Sequence, residues 1–295
     1  MKPLIEAHGI TKHYDGFSLQ DVSFTVDEGE VVGFVGKNGA GKSTTIKALL
    51  GLIELDEGEG SVLGTPSAQL SRSEGAQVKE RIGVVFDAIS LPDHLKVADV
   101  GRIYSRTYTS WDPRLFAQLT GELDLDPKKT VKALSRGMGM KLSLACALSH
   151  GADLLILDEA TAGLDPMARD EILDTLRVFV EQPGHAIFMS SHITSDLERI
   201  ADRVLCIDNG RITFDLVKDA ITDDMGIARC RVADFERIAA SGFIPENELR
   251  YRKHEYGIDL LVPDRFAFNE KFPQVPVDRM TIDDYLTLTL KGGVR

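Results

Sequence analysis

The sequence predicts an α/β fold around a parallel sheet, and three stretches carry that prediction. Val31-Val32-Gly33-Phe34-Val35 runs straight into the glycine-rich turn Gly36-Lys37-Asn38-Gly39-Ala40-Gly41-Lys42-Ser43-Thr44, which helix-forming residues follow. Leu154-Leu155-Ile156-Leu157 ends in the acidic pair Asp158-Glu159, and Ala186-Ile187-Phe188-Met189 ends in Ser190-Ser191-His192. Strands covered on both faces read as continuous apolar runs, and the ligands of such sheets gather at the carboxyl ends of the strands.

The remaining elements follow in order. Residues 2–33 read as strands with turn signals, and 19–26 alternates apolar and polar residues as a half-buried strand does. A helix is expected from the glycine-rich turn through Leu50. Residues 88–150 read mainly as helices, with Trp111-Asp112-Pro113 marking one start, since proline is preorganised for the first helical position. Leu134-Ser135-Arg136-Gly137-Met138 is a hydroxyl-and-glycine turn that opens an apolar helix. Asn209-Gly210 is a turn dipeptide closing the strand pattern of Val204-Leu205-Cys206-Ile207. Beyond it the pattern changes: 227–232 and Gly257–Val262 read as strands, 233–241 and 281–290 as helices, and Thr281-Ile282-Asp283-Asp284 fits a capping box. The expected division is a domain over 1–217 and a small α+β appendage over 218–295.

Residues 36–44 are a complete G-x-x-x-x-G-K-[ST] phosphate loop. Its glycines let successive N–H groups turn toward phosphate oxygens at a positive helix N-terminus. Lys42 is expected on the β/γ-phosphates and Ser43 on Mg²⁺. The chain therefore reads as a binder of a nucleoside triphosphate. Asp158 is expected to hold Mg²⁺ through water and Glu159 to polarise the attacking water, because neighbouring strand residues point to opposite sides. Taken alone, the same segment also fits a strand followed by an acidic helix cap.

In this order the motifs resemble the ATP-binding cassette (ABC) family, and within it the bacterial ABC-2-type exporter group. Leu134, Ser135 and Gly137 match the family signature Leu-Ser-Gly-Gly-Gln, while Arg136 and Met138 depart from it. The resemblance covers nearly all of 1–217. It implies a phosphate-loop ABC ATPase core with an antiparallel β subdomain and a helical subdomain at about 88–150. It also implies roles: Tyr14 stacks on adenine, and Gly36, Asn38, Gly39, Ala40, Gly41, Lys42, Ser43 and Thr44 hold the phosphates of ATP. Stacking contributes about 1–3 kcal/mol and ignores base edges, so discrimination of ATP from GTP is expected to be loose. Ser135 and Gly137 reach the γ-phosphate of ATP on an opposite subunit, Asp165 of the D-loop crosses that interface, and His192 contacts the γ-phosphate and helps hold the catalytic water. Asp87 stands where the family has a Gln that ligates Mg²⁺ and senses the membrane partner. Two readings of Asp87 stand, a metal ligand and a cap of the following loop. The charges of Arg136 and Asp87 are expected to offset each other partly across a composite site. The stretch at about 94–108 is assigned by resemblance to the membrane partner, with core or boundary aromatics as the other reading of Tyr104, Tyr108 and Trp111.

Composition bounds the partners. No apolar run approaches the roughly 18 residues of a membrane span, so transport is expected to need a separate transmembrane permease subunit. The three cysteines, Cys146, Cys206 and Cys230, are scattered without metal-ligand spacing, as reduced cytosolic thiols would be. A net charge of −12 weighs against nucleic-acid partners, which need clustered Lys and Arg. It does not oppose a nucleotide, because remote acids are screened beyond about 8 Å. The expected function is the ATP-hydrolysing subunit of an exporter, cytoplasmic and peripheral on the inner face of the membrane, closing as a dimer with a second ABC subunit. A soluble cassette acting on ribosomes or DNA, and a scaffold with weakened catalysis, are the alternatives.

Overall fold

Alternation and apolar runs build the first half of the chain, whose elements are strands β1 (Pro3–Tyr14), β2 (Phe17–Asp27) and β3 (Val31–Val35), helix α1 (Lys42–Leu49), and strands β4 (Glu57–Val62) and β5 (Thr65–Pro66). The computed structural model describes residues 2–88 and 91–294. β2, β1, β4 and β5 pair in that order as an antiparallel sheet. The alternation in β2 is broken once, because Leu19 and Val22 are both buried. A bulge with Asp21 at φ 54° absorbs the extra residue and keeps both side chains on the core face.

Two short helices, α2 (Ser67–Leu70) and α3 (Ala76–Lys79), lead to β6 (Ile82–Val85) and then to α4 (Val97–Thr107), α5 (Pro113–Glu122) and α6 (Arg136–Leu148). Asp112 caps α5, accepting the Arg114 and Leu115 N–H groups with Pro113 behind it, so the expected helix start is met. The three longer helices close on Val97, Val100, Phe116, Leu119, Leu142 and Ala145. This is the helical group expected at about 88–150, of which Ile89 and Ser90 lie outside the described residues.

β7 (Leu154–Asp158), α7 (Pro166–Val180), β8 (Ala186–Ser191), α8 (Thr194–Ile200), β9 (Arg203–Asp208) and β10 (Arg211–Val217) complete the main sheet, ordered β10-β9-β3-β8-β7-β6. The five strands from β9 to β6 run parallel. β3 lies between β9 and β8, so its carboxyl end opens at a switch point of the sheet. Phe24, Phe34 and Phe188 stack beneath it with centroids 5.2 to 6.0 Å apart, in the range where aromatic pairs gain beyond their buried area. On the other face, a Cβ at Gly33 would meet Leu197 at 2.8 Å, so α8 rests directly on the central strand.

The chain divides into units 1–215 and 216–295. The second unit contains β11 (Gly226–Cys230), α9 (Val232–Ala240), β12 (Arg250–His254), β13 (Gly257–Val262), α10 (Arg265–Lys271), β14 (Val277–Arg279), α11 (Ile282–Lys291) and β15 (Gly293–Val294). Its antiparallel sheet runs β14-β11-β13-β12-β15 over a core that includes Ala228, Phe235, Ile238, Leu260 and Phe268. The strand expected to reach residue 232 ends at Cys230, because Val232 already begins α9. The capping box forms: Thr281 accepts the Asp284 N–H and Asp284 accepts the Thr281 N–H.

Tyr104, Tyr108 and Trp111 form one aromatic run: Tyr104 stacks on Tyr108 and meets Trp111 at a tilt, and Tyr108 stacks on His150 at 4.4 Å. His150 is 2% exposed, with its ring nitrogens 3.0 Å from the Cys146 carbonyl and 3.2 Å from that of Ile82. All three cysteines are buried and free, and burial pushes the thiols of Cys206 and Cys230 up to about 12. Burial likewise pushes the imidazole of His150 below its usual value, against the two carbonyl contacts. The folded chain therefore resists a proton that the unfolded chain accepts below pH about 6.5, so His150 lowers stability as pH falls through that value and leaves it untouched above. Urea unfolding from pH 7.5 to about 5.5 is expected to weaken the parent more than His150→Asn; parallel pH profiles would refute the assignment.

Candidate active site

The phosphate loop leaves β3 with no room for side chains at two glycines. A Cβ on Gly36 would overlap the Ile207 carbonyl of β9. One on Gly41, at φ 122°, would meet Leu19 at 2.6 Å and the Phe17 ring at 3.1 Å. The turn is thus pressed against β9 and the start of β2, and α1 begins at Lys42 with its first N–H groups facing the loop.

A cavity of about 730 Å³ opens here, within the range of small-molecule sites. Lys37, Asn38, Gly39, Gly41, Lys42, Ser43 and Thr44 form one wall. Asp87, Arg136, Glu159, Gly163 and His192 reach it from four other segments, and Phe17 contributes its ring. Phe17 was not singled out from the sequence, although it is the cross-strand partner of Tyr14 and an aromatic in the same hairpin. Tyr14 is 45% exposed, lies outside the cavity wall and has the Lys12 ammonium 5.9 Å from its ring.

Glu159 joins the parts. Its Oε2 is 2.6 Å from Nδ1 of His192 and also accepts the His192 N–H at 3.3 Å. Its Oε1 is buried, 3.2 Å from the Lys42 ammonium but without a hydrogen bond. The expectation that Asp158 and Glu159 diverge as successive strand residues is corrected: β7 ends at Asp158, and Glu159 leaves the strand at φ 54°. A non-glycine residue in that region costs about 1–3 kcal/mol and persists only where the surroundings hold it. Here its N–H is tied to the Ser190 carbonyl at 3.2 Å and to the Ser190 hydroxyl at 3.1 Å. The same hydroxyl donates to Asp158 at 2.6 Å, so Asp158 is buried behind the cavity wall, not on it.

The Lys42 ammonium also donates to the carbonyls of Gly36, at 2.7 Å, and Lys37, at 3.4 Å. A phosphate oxygen is the natural exchange partner for the Glu159 contact, since charge-assisted bonds of this kind contribute about 1.5–3 kcal/mol. With Nδ1 turned to Glu159, the half-exposed His192 ring on the cavity wall keeps Nε2 for another partner. Oε1 of Glu159 lies buried against Lys42 and accepts no hydrogen bond, so it meets a proton donor only where that ammonium turns to a phosphate.

The oxygen donors fit Mg²⁺. Ser43 and Asp87 line the cavity and Asp158 stands behind it, a hard-oxygen set of the kind that ion prefers. Among the described residues no three His, Cys, Asp or Glu side chains form a metal cage, so these groups would share the ion with phosphate oxygens.

The signature turn lies apart from most of these groups. Ser135 caps α6 by accepting the Met138 N–H at 3.2 Å, and a Cβ on Gly137 would sit 3.6 Å from Leu164. Asp165 caps α7, accepting the N–H groups of Met167 and Ala168 at 3.1 Å. Ser135, Gly137 and Asp165, like Gly36 and Ala40, are not on the cavity wall. Arg136 reaches it, lying 3.2 Å from a Cβ placed on Gly163. Arg136 and Asp87 therefore line one cavity within one chain.

A family model described as ABC transporter matches residues 19–162. The uncharacterized ABC transporter ATP-binding protein YhcH of Bacillus subtilis is 35% identical over 229 residues, 76% of this chain and 73% of that one. This chain belongs to the ABC transporter ATP-binding family. The Nod factor export ATP-binding protein I of Sinorhizobium fredii is 38% identical over 75% of this chain and 64% of its own length. A solved structure titled as the ATP-binding subunit of an ABC transporter superposes with a TM-score of 0.67 at 29% identity, covering 74% of this chain and 91% of that one. This ABC ATPase thus binds and hydrolyses ATP as a transporter subunit.

Lys42→Ala removes an ammonium that bonds the loop carbonyls and faces Glu159. Titration of the folded variant is expected to show ATP affinity at least about tenfold weaker, in line with one lost charge-assisted contact. Unchanged affinity would overturn the assignment of residues 36–44.

Proposed function

We propose that this ABC ATPase powers an export system by closing with a second ABC subunit, in homodimer or related heterodimer, around ATP and Mg²⁺. The contact of Glu159 with both Lys42 and His192 carries the reading, because it gathers an ammonium for the phosphates, a base and its orienting imidazole in one cavity. Ser43, Asp87 and Asp158 would hold the ion, which supplies charge neutralisation at the phosphates. Glu159 takes a proton from the attacking water at Oε1 while His192 fixes the carboxylate and reaches the γ-phosphate. Tyr14 supplies the adenine platform from the hairpin, with Phe17 beside it. Ser135, Gly137 and Asp165 act across the dimer, which accords with their lying off their own chain's cavity wall.

The named activity of the Nod factor export relative supports the export direction. No helix of the described residues is long and apolar enough to cross a membrane, and we assign the membrane path to a separate permease subunit. α4, within the stretch at 94–108, is its docking element in this reading, and the chain sits on the cytoplasmic face.

Membrane fractionation tests the assembly. The chain is expected to sediment with membranes and to co-purify with a polytopic membrane protein. Recovery on ribosomes or DNA would overturn it.

Glu159→Gln keeps the shape of the side chain and removes the base. It is expected to bind ATP within about twofold of the parent, to lose hydrolysis by about 10²-fold or more, and to accumulate a dimer with Mg-ATP on size-exclusion chromatography. Parental turnover would show that another group is the base.

A further inference from the structure

Behind the cavity, the first turn of α8 carries a second carboxylate that hydrolysis does not use. Asp196 is 1% exposed, and its Oδ2 is buried without a partner. Its Oδ1 is 3.8 Å from Nε of Arg169 on α7, an atom that is itself buried without a hydrogen bond. The ion pair is therefore loose: the facing Nε and the buried Oδ2 make no hydrogen bond, and a buried polar atom left so costs stability. Burial pushes the Asp196 carboxyl above its usual range, and a Thr161 side-chain hydrogen bond and the charges of Arg169 and Arg199 act the other way.

The neighbours give the purpose. Thr161, 1% exposed, immediately precedes the D-loop Ala162-Gly163-Leu164-Asp165, and the Arg169 guanidinium donates to the Leu164 carbonyl within it at 3.5 Å. Asp196 lies four residues after His192 and α8 packs on β3, so its carboxylate is fixed to the strand that launches the phosphate loop. The D-loop lies between the cavity, through Gly163, and the signature turn, through the Leu164 contact to Gly137.

We propose that Asp196 is a positioning residue that, through Thr161 and Arg169, sets the D-loop in the conformation required for ATP-driven dimer closure. The inference rests on the dimeric reading of function. Asp196 touches neither nucleotide-facing wall nor Glu159, so it acts on closure and turnover and not on ATP capture.

Asp196→Asn in the full chain tests it. Expected are a thermal midpoint and ATP affinity close to the parent, KM within about twofold and kcat lower by about tenfold or more. In a Glu159→Gln background, the same substitution is expected to weaken Mg-ATP-driven dimerisation by about tenfold in analytical ultracentrifugation. Arg169→Gln should do the same, and the double variant should be no worse than either single one, since both remove one coupled contact. Arg169→Lys, which keeps the charge, should restore part of kcat. Where Asp196→Asn fails to fold, Thr161→Val reads the same contact by removing only a hydroxyl. Parental kcat and dimerisation in folded variants, or kcat, KM and thermal midpoint falling together, would overturn the proposal. Should Glu159→Gln alone fail to dimerise, the dimeric reading falls, and the positioning role with it.

Discussion

The carboxylate of Glu159 is the constraint around which the catalytic half is arranged. It meets the Lys42 ammonium on one oxygen and the His192 ring on the other, and so joins the ends of β3, β7 and β8. Those strands reach the same level only because they run parallel in adjacent positions. The left-handed backbone at Glu159 is the local cost, and the double tie of its N–H to Ser190 holds it. Ser190 then bonds Asp158, so one serine sets the direction of both acids. This division gives the two acids different surroundings: Asp158 is enclosed, while Glu159 faces the cavity.

The glycine-rich turn is held by a different kind of force. Gly36 and Gly41 fit because β9 and β2 occupy the space that side chains would need. Steric exclusion fixes the loop before any ligand arrives, which is the preorganisation that anion recognition by backbone N–H groups requires. The Lys42 bonds to the Gly36 and Lys37 carbonyls brace the same turn from inside.

Much of this was legible in the sequence, for identifiable reasons. The apolar runs at 31–35, 154–157 and 186–189 had no polar face to offer water, and all three lie in the parallel sheet. Trp111-Asp112-Pro113 and Thr281–Asp284 were readable because a cap is a local bond between residues two or three apart. What stayed hidden depends on distant partners or on backbone angles. Nothing in Asp158-Glu159 signals the turn out of the strand, which Ser190 imposes from 31 residues away. Phe17 enters the cavity by hairpin register, and Arg136 by a long side chain that crosses to the D-loop. The loose ion pair of Asp196 and Arg169 is likewise invisible until α7 and α8 are packed.

The bare backbone at Gly33 lets Leu197 settle against the central strand. Helix α8 therefore cannot slide without dragging the strand from which the phosphate loop emerges, and interiors packed this closely yield little to small displacements. The histidine at the head of that helix and the lysine at the head of α1 form one anvil. The helices α4 to α6 are organised on a core of their own, centred on Val100 and Leu142, and stand outside that coupled unit.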